Sequence, residues 1–501
     1  MKIDLALLAG GAIAWTALGA ARPGASLEQR FAELRKHPAE LYAFLLEMPK
    51  GADLHSHLSG AVYAETYLRI AAEDGLCVDL RTYALIAPPA APREKARCGD
   101  NAADAAQLRT DNRLASAVID SLSMRNFRPG GESGHDHFFA AFGKFGPSRP
   151  ERAGELLAEV IRRAAEQNES YLELMAINGT AANAVGSKAG FDGDFEKTRQ
   201  QLLSSGLAQA VASMRARVDQ LEEGRVEALG CRADPESAAC RVGVRYLYQI
   251  LRESPKEEVF AQTLAGFMLA SEDPRVAGVN IVQPEDGIIS MRDYRLQMKM
   301  IGYAKRLYPK VRLSLHAGEL ASGLAPPEDL RFHIREAVET AGAERIGHGA
   351  DIAYETDSAG LAAEMKKRRV LVEINLTSND LILGLRGQDH PLPFYRAHGV
   401  PAALSTDDEG VSRTHLTQEF WRATLDYGLS YGDLKEMVRN SLEYSFLRGA
   451  SLWRDGNYQL RAAPCAGGLK TLSCRRFLEA NEKARFQADL EDRFAKFEAK
   501  R

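Results

Sequence analysis

The chain lacks a charge excess of either sign. Its 501 residues carry 64 Lys and Arg against 68 Asp and Glu, a formal net charge of −4. No basic run is interleaved with aromatic residues, so there is no electrostatic case for a nucleic-acid partner. Fixed-period repeats and low-complexity segments are also missing. What remains is an ordinary globular composition, 45% hydrophobic and 26% charged, for one large domain or two smaller ones.

Long hydrophobic runs are scarce, and the most apolar one lies at the N-terminus. Leu5 to Leu18 is largely apolar, Lys2 supplies a basic start, and Gly19-Ala20-Ala21 offers a cleavage site. The pattern predicts a secretory signal over residues 1–21, with a membrane anchor or a buried helix as alternatives. We therefore expect an exported protein, periplasmic or secreted, whose mature chain 22–501 is a single domain without membrane contact.

The Cys-x-x-Cys spacing of zinc knuckles and redox motifs is absent. The six cysteines form three local pairs, which are Cys77/Cys98, Cys231/Cys240 and Cys465/Cys474. An even count in an exported chain predicts disulfides within those pairs, whereas six free thiols would fit a cytosolic protein.

Eight short apolar segments alternate with helical patterns. They are Asp53–His57, Tyr171–Ile177, Val242–Gln249, Val276–Gln283, Val311–His316, Arg345–His348, Val370–Asn375 and Pro401–Asp407. Strands that alternate with helices favour a parallel sheet, and eight of them predict an α/β fold, a closed (β/α)8 TIM-type barrel. Such barrels carry their active sites at the C-terminal ends of the strands.

Additional segments flank or interrupt the predicted barrel. Residues 27–48 have helical spacing, and the charged tail from Arg475 predicts one long amphipathic helix packed on the body or on a second subunit. A homodimer is thus one expected assembly. Residues 75–134, broken by prolines and bracketed by two cysteines, are expected to form a disulfide-bearing insertion after the first strand.

His55-Ser56-His57 places two imidazoles on one face of a strand, where they suit a metal ion. A motif this short is often accidental, and His135-Asp136-His137 has the same spacing without an obvious strand.

Polar residues also end three later strands. His316-Ala-Gly-Glu319 closes the fifth, Gly-His348-Gly the sixth and Asp407-Asp408 the eighth. Each alone is commonly a core histidine, a strand-end residue or a helix cap. Together with His55 and His57 they predict a Zn²⁺ site that keeps a position for water.

In this order the motifs resemble the adenosine deaminase family of metal-dependent amidohydrolases, over roughly residues 48–444. The opening Met48-Pro-Lys-Gly-Ala-Asp-Leu-His and the later Glu373-Ile-Asn-Leu-Thr-Ser-Asn379 are similar too. The signal and the insertion resemble the secreted, growth-factor-type branch. The resemblance implies one zinc ion per chain, bound by His55, His57, His316 and Asp407.

The resemblance also implies three catalytic groups. Glu319 would protonate the purine at N1, His348 would orient and stabilise the hydroxide, and Asp408 would hydrogen-bond the purine at N7. The expected reaction is deamination of adenosine or a related 6-aminopurine nucleoside.

Two positions depart from the family pattern. Gln283 stands where the family usually has Gly ahead of an acidic pair. Its side chain would narrow the pocket or bind the substrate through its amide, which leaves the exact purine open. Glu409-Gly410 follows Asp408 where Pro is common. Glu285 is a candidate ribose contact or a solvated loop carboxylate, and Asn379 is a candidate brace for the seventh-strand loop. The alternative functions are another aminopurine or modified nucleoside as substrate, or a nucleoside-binding signalling protein without turnover.

Overall fold

The structure, a computed structural model, describes residues 26–89, 98–147 and 150–501. The predicted signal lies outside the described residues. Eight parallel strands form one sheet in chain order. They are β1 Gly51–His57, β2 Glu169–Asn178, β3 Gly243–Leu251, β4 Val276–Val282, β5 Arg312–Ala317, β6 Arg345–His348, β7 Leu371–Ile374 and β8 Ala402–Leu404.

The sheet closes between β8 and β1 at the C-terminal ends of these strands, where the polar residues of the motifs lie. Ser56 pairs with Asp407, the Asp407 N–H donates to the His55 carbonyl at 2.8 Å, and the His57 N–H donates to the Asp407 carbonyl at 2.9 Å. The predicted (β/α)8 barrel is confirmed, and each predicted segment overlaps one strand.

Helices surround the strands and bury their apolar faces against them. Before β1 they are Leu27–Leu34 and Pro38–Glu47; between β1 and β2, Leu58–Ala61, Ala64–Asp74, Asn112–Ser121, Gly134–Phe142 and Ala153–Glu166; between β2 and β3, Asn183–Ala189, Phe195–Ser204 and Leu207–Leu229. The later ones are Lys256–Glu272, Ile288–Leu307, His333–Glu336, Ser358–Arg368, Leu376–Leu383, Leu392–His398, Glu409–Ser412, Leu416–Tyr427, Tyr431–Glu443, Leu472–Ala480 and Glu482–Glu498.

The insertion after β1 has its own small sheet and two helices. Cys77–Asp79 pairs antiparallel with Leu85–Ile86 and with Ala102–Asp104. Helix Gly134–Phe142 packs through Phe138 on Ile382 and Val411, which belong to the helices after β7 and β8. The insertion therefore lies beside the end of the barrel where those loops emerge.

The C-terminal tail forms two helices where one long helix was predicted. The helix is interrupted at Asn481, whose extended backbone (φ −131°) ends the first helix. Its side-chain oxygen accepts from the Ala450 N–H at 2.7 Å. Phe494 and Phe497 are buried in the main core, so the tail packs on the body of its own chain.

The three predicted disulfides, Cys77–Cys98, Cys231–Cys240 and Cys465–Cys474, are confirmed. Across the described ranges no helix combines the length and apolar character that a membrane span requires.

Candidate metal and active site

Three imidazoles and one carboxylate meet at the C-terminal ends of β1, β5 and β8. His316 Nε2 lies 3.1 Å from His55 Nε2 and 3.2 Å from His57 Nε2. Asp407 Oδ1 lies 3.3 Å from Nε2 of both His55 and His57. Tetrahedral zinc with ligands at about 2.0–2.1 Å requires ligand atoms roughly 3.3 Å apart. The four distances therefore fit a zinc ion held by these side chains. A ring nitrogen of His348 also lies within 4.8 Å of ligand atoms of His55, His316 and Asp407, and His57 groups in the same way with Asp407 and Asp408.

Hydrogen bonds turn two of these imidazoles so that their lone pairs face the centre. His55 Nδ1 donates to Glu373 Oε2 at 2.7 Å, and His316 Nδ1 donates to Asn280 Oδ1 at 2.8 Å. The Asn280 atom is oxygen because the backbone N–H groups of Ile281 and His316 also donate to it. A neutral imidazole with its proton on Nδ1 has its lone pair on Nε2, as a metal ligand needs.

Glu373 and Asn280 belong to the candidate site, although the sequence predicts a role for neither and shows Glu373 only as the start of the Glu373–Asn379 motif. Each interrupts an apolar strand, in Leu371-Val-Glu-Ile and Val279-Asn-Ile-Val, and each is fully buried. A buried polar residue inside such a strand needs partners, and that is the signal that could have indicated them. Glu373 is held in turn by Arg345 at 2.6 Å and by Ser314 at 2.9 Å.

Three non-glycine residues at the strand ends have a left-handed backbone. The φ angles are +85° at Gln283, +65° at His348 and +62° at Asp407. Such conformations cost on the order of 1–3 kcal/mol each and persist where the surrounding structure enforces them. At Asp407 the two backbone hydrogen bonds with β1 enforce the left-handed conformation.

Glu319 and His348 face each other beside the four candidate ligands. His348 Nε2 lies 3.6 Å from Glu319 Oε1 and 3.8 Å from Asp407 Oδ2. Burial, reinforced by the charge of Asp407, raises the pKa of Glu319 well above its usual range. Burial lowers the pKa of His348 to about 4. Burial thus favours the protonated form of Glu319 and the neutral form of His348.

Asp408 packs against Gly60 and has a carboxylate oxygen within 4.8 Å of ligand atoms of His57 and Asp407. A Cβ at Gly60 would lie 1.6 Å from Asp408 Oδ1, so only glycine leaves room for this carboxyl group. Asp408 Oδ1 is buried, and none of the described residues hydrogen-bonds it. Burial and the neighbouring Asp407 raise its pKa well above the usual range. A buried polar atom without a partner next to a metal cluster suits a ligand contact.

Glu409, which stands where the family commonly has Pro, is buried in an ion pair. Its carboxylate lies 2.8 Å from Arg163 Nε, and Arg163 also bonds Glu159 and donates to the Ala61 carbonyl. The ion pair thereby connects the loop after β8, which carries Asp408, to the loop after β1, which carries Gly60.

The side chains of Gln283 and Glu285 are both hydrogen-bonded to neighbouring backbone groups of the protein. Gln283 Oε1 accepts from the Glu253 N–H at 3.0 Å. Glu285 is 1% exposed, which excludes a solvated loop carboxylate. Its oxygens accept from the N–H groups of Gly318 and Glu319 at 3.0 Å and pair with His333. Their roles as substrate contacts stay predictions, and what the geometry shows for Glu285 is a support for the loop that carries Glu319.

Asn379 contacts His348, and the second His-x-His motif lies apart from the cluster. The Asn379 carboxamide lies 2.8 Å from His348 Nδ1. His135 pairs with Asp286 at 3.0 Å, and His137 bonds Glu132 at 2.9 Å, so that motif is engaged within the insertion and its neighbours.

A barrel that gathers three imidazoles and a carboxylate at its strand ends belongs to the class of (β/α)8 proteins with a metal site. The chain belongs to the adenosine deaminase family, whose family model, "Adenosine deaminase", matches residues 149–451. That range includes His316, Glu319, His348 and Asp407. β1, with His55 and His57, precedes it.

Curated relatives and solved structures resemble the chain in different ways. Adenosine deaminase of Clostridium perfringens (strain 13) is 34% identical over 136 residues, 27% of this chain and 38% of the relative. That of Salmonella heidelberg is 36% identical over 138 residues, again 27% of this chain and 38% of the relative. The match thus spans well under half the length of these relatives.

Among solved structures, Arabidopsis ADAL complexed with IMP has a TM-score of 0.53 at 17% identity, covering 90% of this chain and 99% of that one. An amidohydrolase from Burkholderia ambifaria with bound Zn has a TM-score of 0.50 at 19% identity, covering 90% and 95%. At these identities the likeness concerns the fold.

Proposed function

We propose that the protein is a zinc-dependent hydrolase that deaminates adenosine or a closely related 6-aminopurine nucleoside, with one Zn²⁺ per chain. The observation that carries the proposal is the spacing of His55, His57, His316 and Asp407 at tetrahedral distances, with a buried acid beside them. Family membership supports an aminopurine as the substrate.

Each residue at the strand ends then has a chemical task. A bound zinc ion supplies hydroxide near neutral pH. Glu319, whose protonated form burial favours, would donate its proton to purine N1 as charge develops there during attack at C6. His348 would orient the attacking oxygen. Asp408, whose Oδ1 has no partner among the described residues, would bond purine N7. As the tetrahedral carbon collapses, the proton of the added hydroxyl moves to the amino group, the C6–N bond breaks, and ammonia leaves a 6-oxo purine.

A second candidate keeps the chemistry and changes the substrate to another aminopurine, such as a nucleotide or a modified nucleoside. Gln283 favours it, because a side chain stands where the family usually has Gly. The Gln283 side-chain amide accepts from the Glu253 N–H, so the Gln283 backbone, with its φ of +85°, would face the base instead. A solved structure named as an N6-methyl-AMP deaminase has the same fold, with a TM-score of 0.50 at 19% identity. A binding protein without turnover has no use for a protonated acid beside a metal site.

One experiment separates these candidates. Zinc content is measured by elemental analysis, and ammonia release is followed with adenosine, adenine, AMP and N6-methyl-AMP. We expect about one zinc per chain and the fastest release from adenosine. Faster release from a nucleotide or a free base would establish the second candidate. Bound zinc with no release from any aminopurine would overturn the deaminase proposal.

We also propose that the protein is exported and belongs to the secreted, growth-factor-type branch of the family. Three disulfides suit an oxidising compartment. Cell fractionation with mass spectrometry of the mature N-terminus tests export, and a mature chain that still begins at Met1 would contradict it. Light scattering on the same sample determines whether the chain forms the homodimer that the sequence left open.

A further inference from the structure

His348 is connected to a second buried histidine that lies outside the metal cluster. The Asn379 carboxamide is placed with its Oδ1 2.8 Å from His348 Nδ1 and its Nδ2 2.9 Å from His390 Nε2. His348, Asn379 and His390 are each at most 1% exposed. Since bulk water does not reach these rings, their protein hydrogen bonds decide which nitrogen of each ring carries the proton.

The backbone determines the proton position on His390. The Leu392 N–H donates to His390 Nδ1 at 3.1 Å. A backbone N–H can only donate, so Nδ1 has to carry the lone pair. Burial, with the charge of Arg422 nearby, lowers the pKa of His390 to about 3, so the ring is neutral. Its single proton is therefore on Nε2, which faces Asn379.

The proton position on His390 determines the orientation of the Asn379 carboxamide, and this orientation determines the proton position on His348. A half-turn of a carboxamide exchanges its oxygen and nitrogen, so the orientation follows from what the neighbours require. Because His390 Nε2 donates, the Asn379 oxygen has to face His390 and the NH₂ group has to face His348 Nδ1. With Nδ2 toward His390, as placed, two N–H donors would oppose each other at 2.9 Å, so we assign the carboxamide the orientation turned by half a turn.

His348 therefore carries its proton on a different ring nitrogen from the imidazoles around it. Its Nδ1 accepts from Asn379, so its proton is on Nε2, the atom that faces Glu319 and Asp407. His55 and His316 have the reverse arrangement, with Nδ1 donating to Glu373 and Asn280. Asn375 is placed with Nδ2 3.4 Å from His348 Nε2; a half-turn of its carboxamide brings the oxygen, which has no partner among the described residues, to face the Nε2 proton.

We propose that His390, acting through Asn379, is a positioning residue that holds His348 in the tautomer with its proton on Nε2. His348 then donates a hydrogen bond into the site, and in this tautomer it neither binds the metal nor accepts a proton through Nε2. The catalytic consequence rests on the proposed function. The tautomer itself does not, so the two are tested separately.

The direct test is histidine NMR on the unmodified, zinc-loaded protein. Selective ¹⁵N labelling of histidine with long-range ¹H–¹⁵N spectra distinguishes Nδ1–H from Nε2–H rings, and spectra of His348→Gln and His390→Gln assign the two signals. We expect both rings to be protonated at Nε2. A His348 protonated at Nδ1, or one whose Nε2 shift shows metal binding, would overturn the proposal whatever the protein's activity.

A matched pair of variants tests the catalytic consequence. His390→Met removes the donor, which frees Asn379 to turn, whereas His390→Gln keeps an amide donor. For His390→Met we expect kcat to fall roughly 10- to 100-fold at unchanged KM and zinc content, less than the about 10⁴-fold that a wrong histidine tautomer costs a serine protease. His390→Gln should retain more of the rate.

His398→Met and His398→Gln repeat both changes at a histidine that bonds the Phe394 carbonyl at 2.8 Å, and neither should alter kcat. Equal rates for the parental protein and both His390 variants would overturn the positioning role. If the parental protein deaminates no aminopurine, the proposed function fails while the NMR result still decides the tautomer.

Discussion

Asp407 and Asp408 are neighbours in the chain, yet their environments shift their pKa values in opposite directions. Burial acts to raise the pKa of Asp407, but its close contacts with the imidazoles of His55 and His57, each 3.3 Å from Oδ1, outweigh burial and hold the pKa well below the usual range. For Asp408, burial and the neighbouring Asp407 raise the pKa well above the usual range. Adjacent carboxyl groups can thus take different roles, one as a ligand and one as a contact to substrate.

Glu319→Gln is expected to retain zinc and to lower kcat by about 10²- to 10⁴-fold, because only the proton donor is removed. Steady-state kinetics and elemental analysis measure the two effects. Glu328→Gln, an exposed acid in the loop that follows Glu319, is the control and should keep the parental rate. A Glu319→Gln enzyme within a few-fold of the parental rate would show that the proton comes from another group.

His57→Ala is expected to lose most of the bound zinc, because it removes one of four side chains spaced for a single ion. Zinc per chain after dialysis is the measurement. His137→Ala changes the second His-x-His motif, whose histidine bonds Glu132 and two backbone carbonyls, and should keep the metal. Full occupancy in His57→Ala would remove His57 from the ligand set.

At the scale of elements, buried carboxylates connect loops to the strand ends. Glu285, on the loop after β4, holds the backbone of Gly318 and Glu319 after β5. Arg252 supports the same region from the end of β3, donating to the His316 carbonyl at 2.9 Å. The acid that would protonate the substrate is therefore placed by groups from three strands.

Glu285→Gln is expected to lower the free energy of unfolding by about 3 kcal/mol near neutral pH. Burial alone would raise the pKa of Glu285, but its hydrogen bond with His333 and the nearby charges lower it to about 2, against 4.5 ordinarily. The stabilisation is complete above pH 4.5 and is lost as the pH falls toward 2. Denaturant unfolding from pH 7 to pH 3 should show the difference shrinking below pH 4.5.

The exposed Glu479→Gln is the control, with no difference from the parental protein at any pH. A gap between the Glu285→Gln and parental proteins that stays constant down to pH 3 would contradict the stabilised carboxylate.

Glu409→Ala is expected to destabilise the protein by about 1–3 kcal/mol, because Arg163 loses its closest carboxylate while it keeps the pair with Glu159. Glu339→Ala breaks the partly exposed pair with Arg335 and should cost at most about 1 kcal/mol. Thermal and urea unfolding compare the two variants. Equal costs would mean that the Arg163–Glu409 pair does not connect the loops after β1 and β8.

At the scale of the whole molecule, three disulfides close loops outside the barrel strands. Their sequence separations are 21, 9 and 9 residues. Loop-closure entropy for such lengths gives about 3 kcal/mol each. The bridges thus add to a fold whose main core lies between the barrel and its surrounding helices.

A thiol titration of the exported protein should find no free thiols without reductant, and six after reduction in denaturant. Reduction should also lower the melting temperature, because the unfolded chain regains its entropy. Six reactive thiols in the unreduced exported protein would reject the three bridges.

The sequence by itself determined the barrel and the candidate metal ligands. Alternation of β-branched segments with helical patterns is a local property, and each of His55, His316 and Asp407 lies at or near the C-terminal end of such a segment. The break at Asn481 was missed because its cause, a hydrogen bond with Ala450, lies 31 residues away in the chain.

Only the tertiary structure decided how the side chains are oriented. Glu373 reaches His55 across 318 positions and Asn280 reaches His316 across 36, and no local pattern encodes either contact. Glu285 turned inward for the same reason: its partners, at Gly318, Glu319 and His333, become neighbours only when β4 and β5 pair. The sequence shows which residue types end each strand. The direction of their hydrogen bonds, their burial and their shifted pKa values arise only when segments distant in the chain pack together and exclude water.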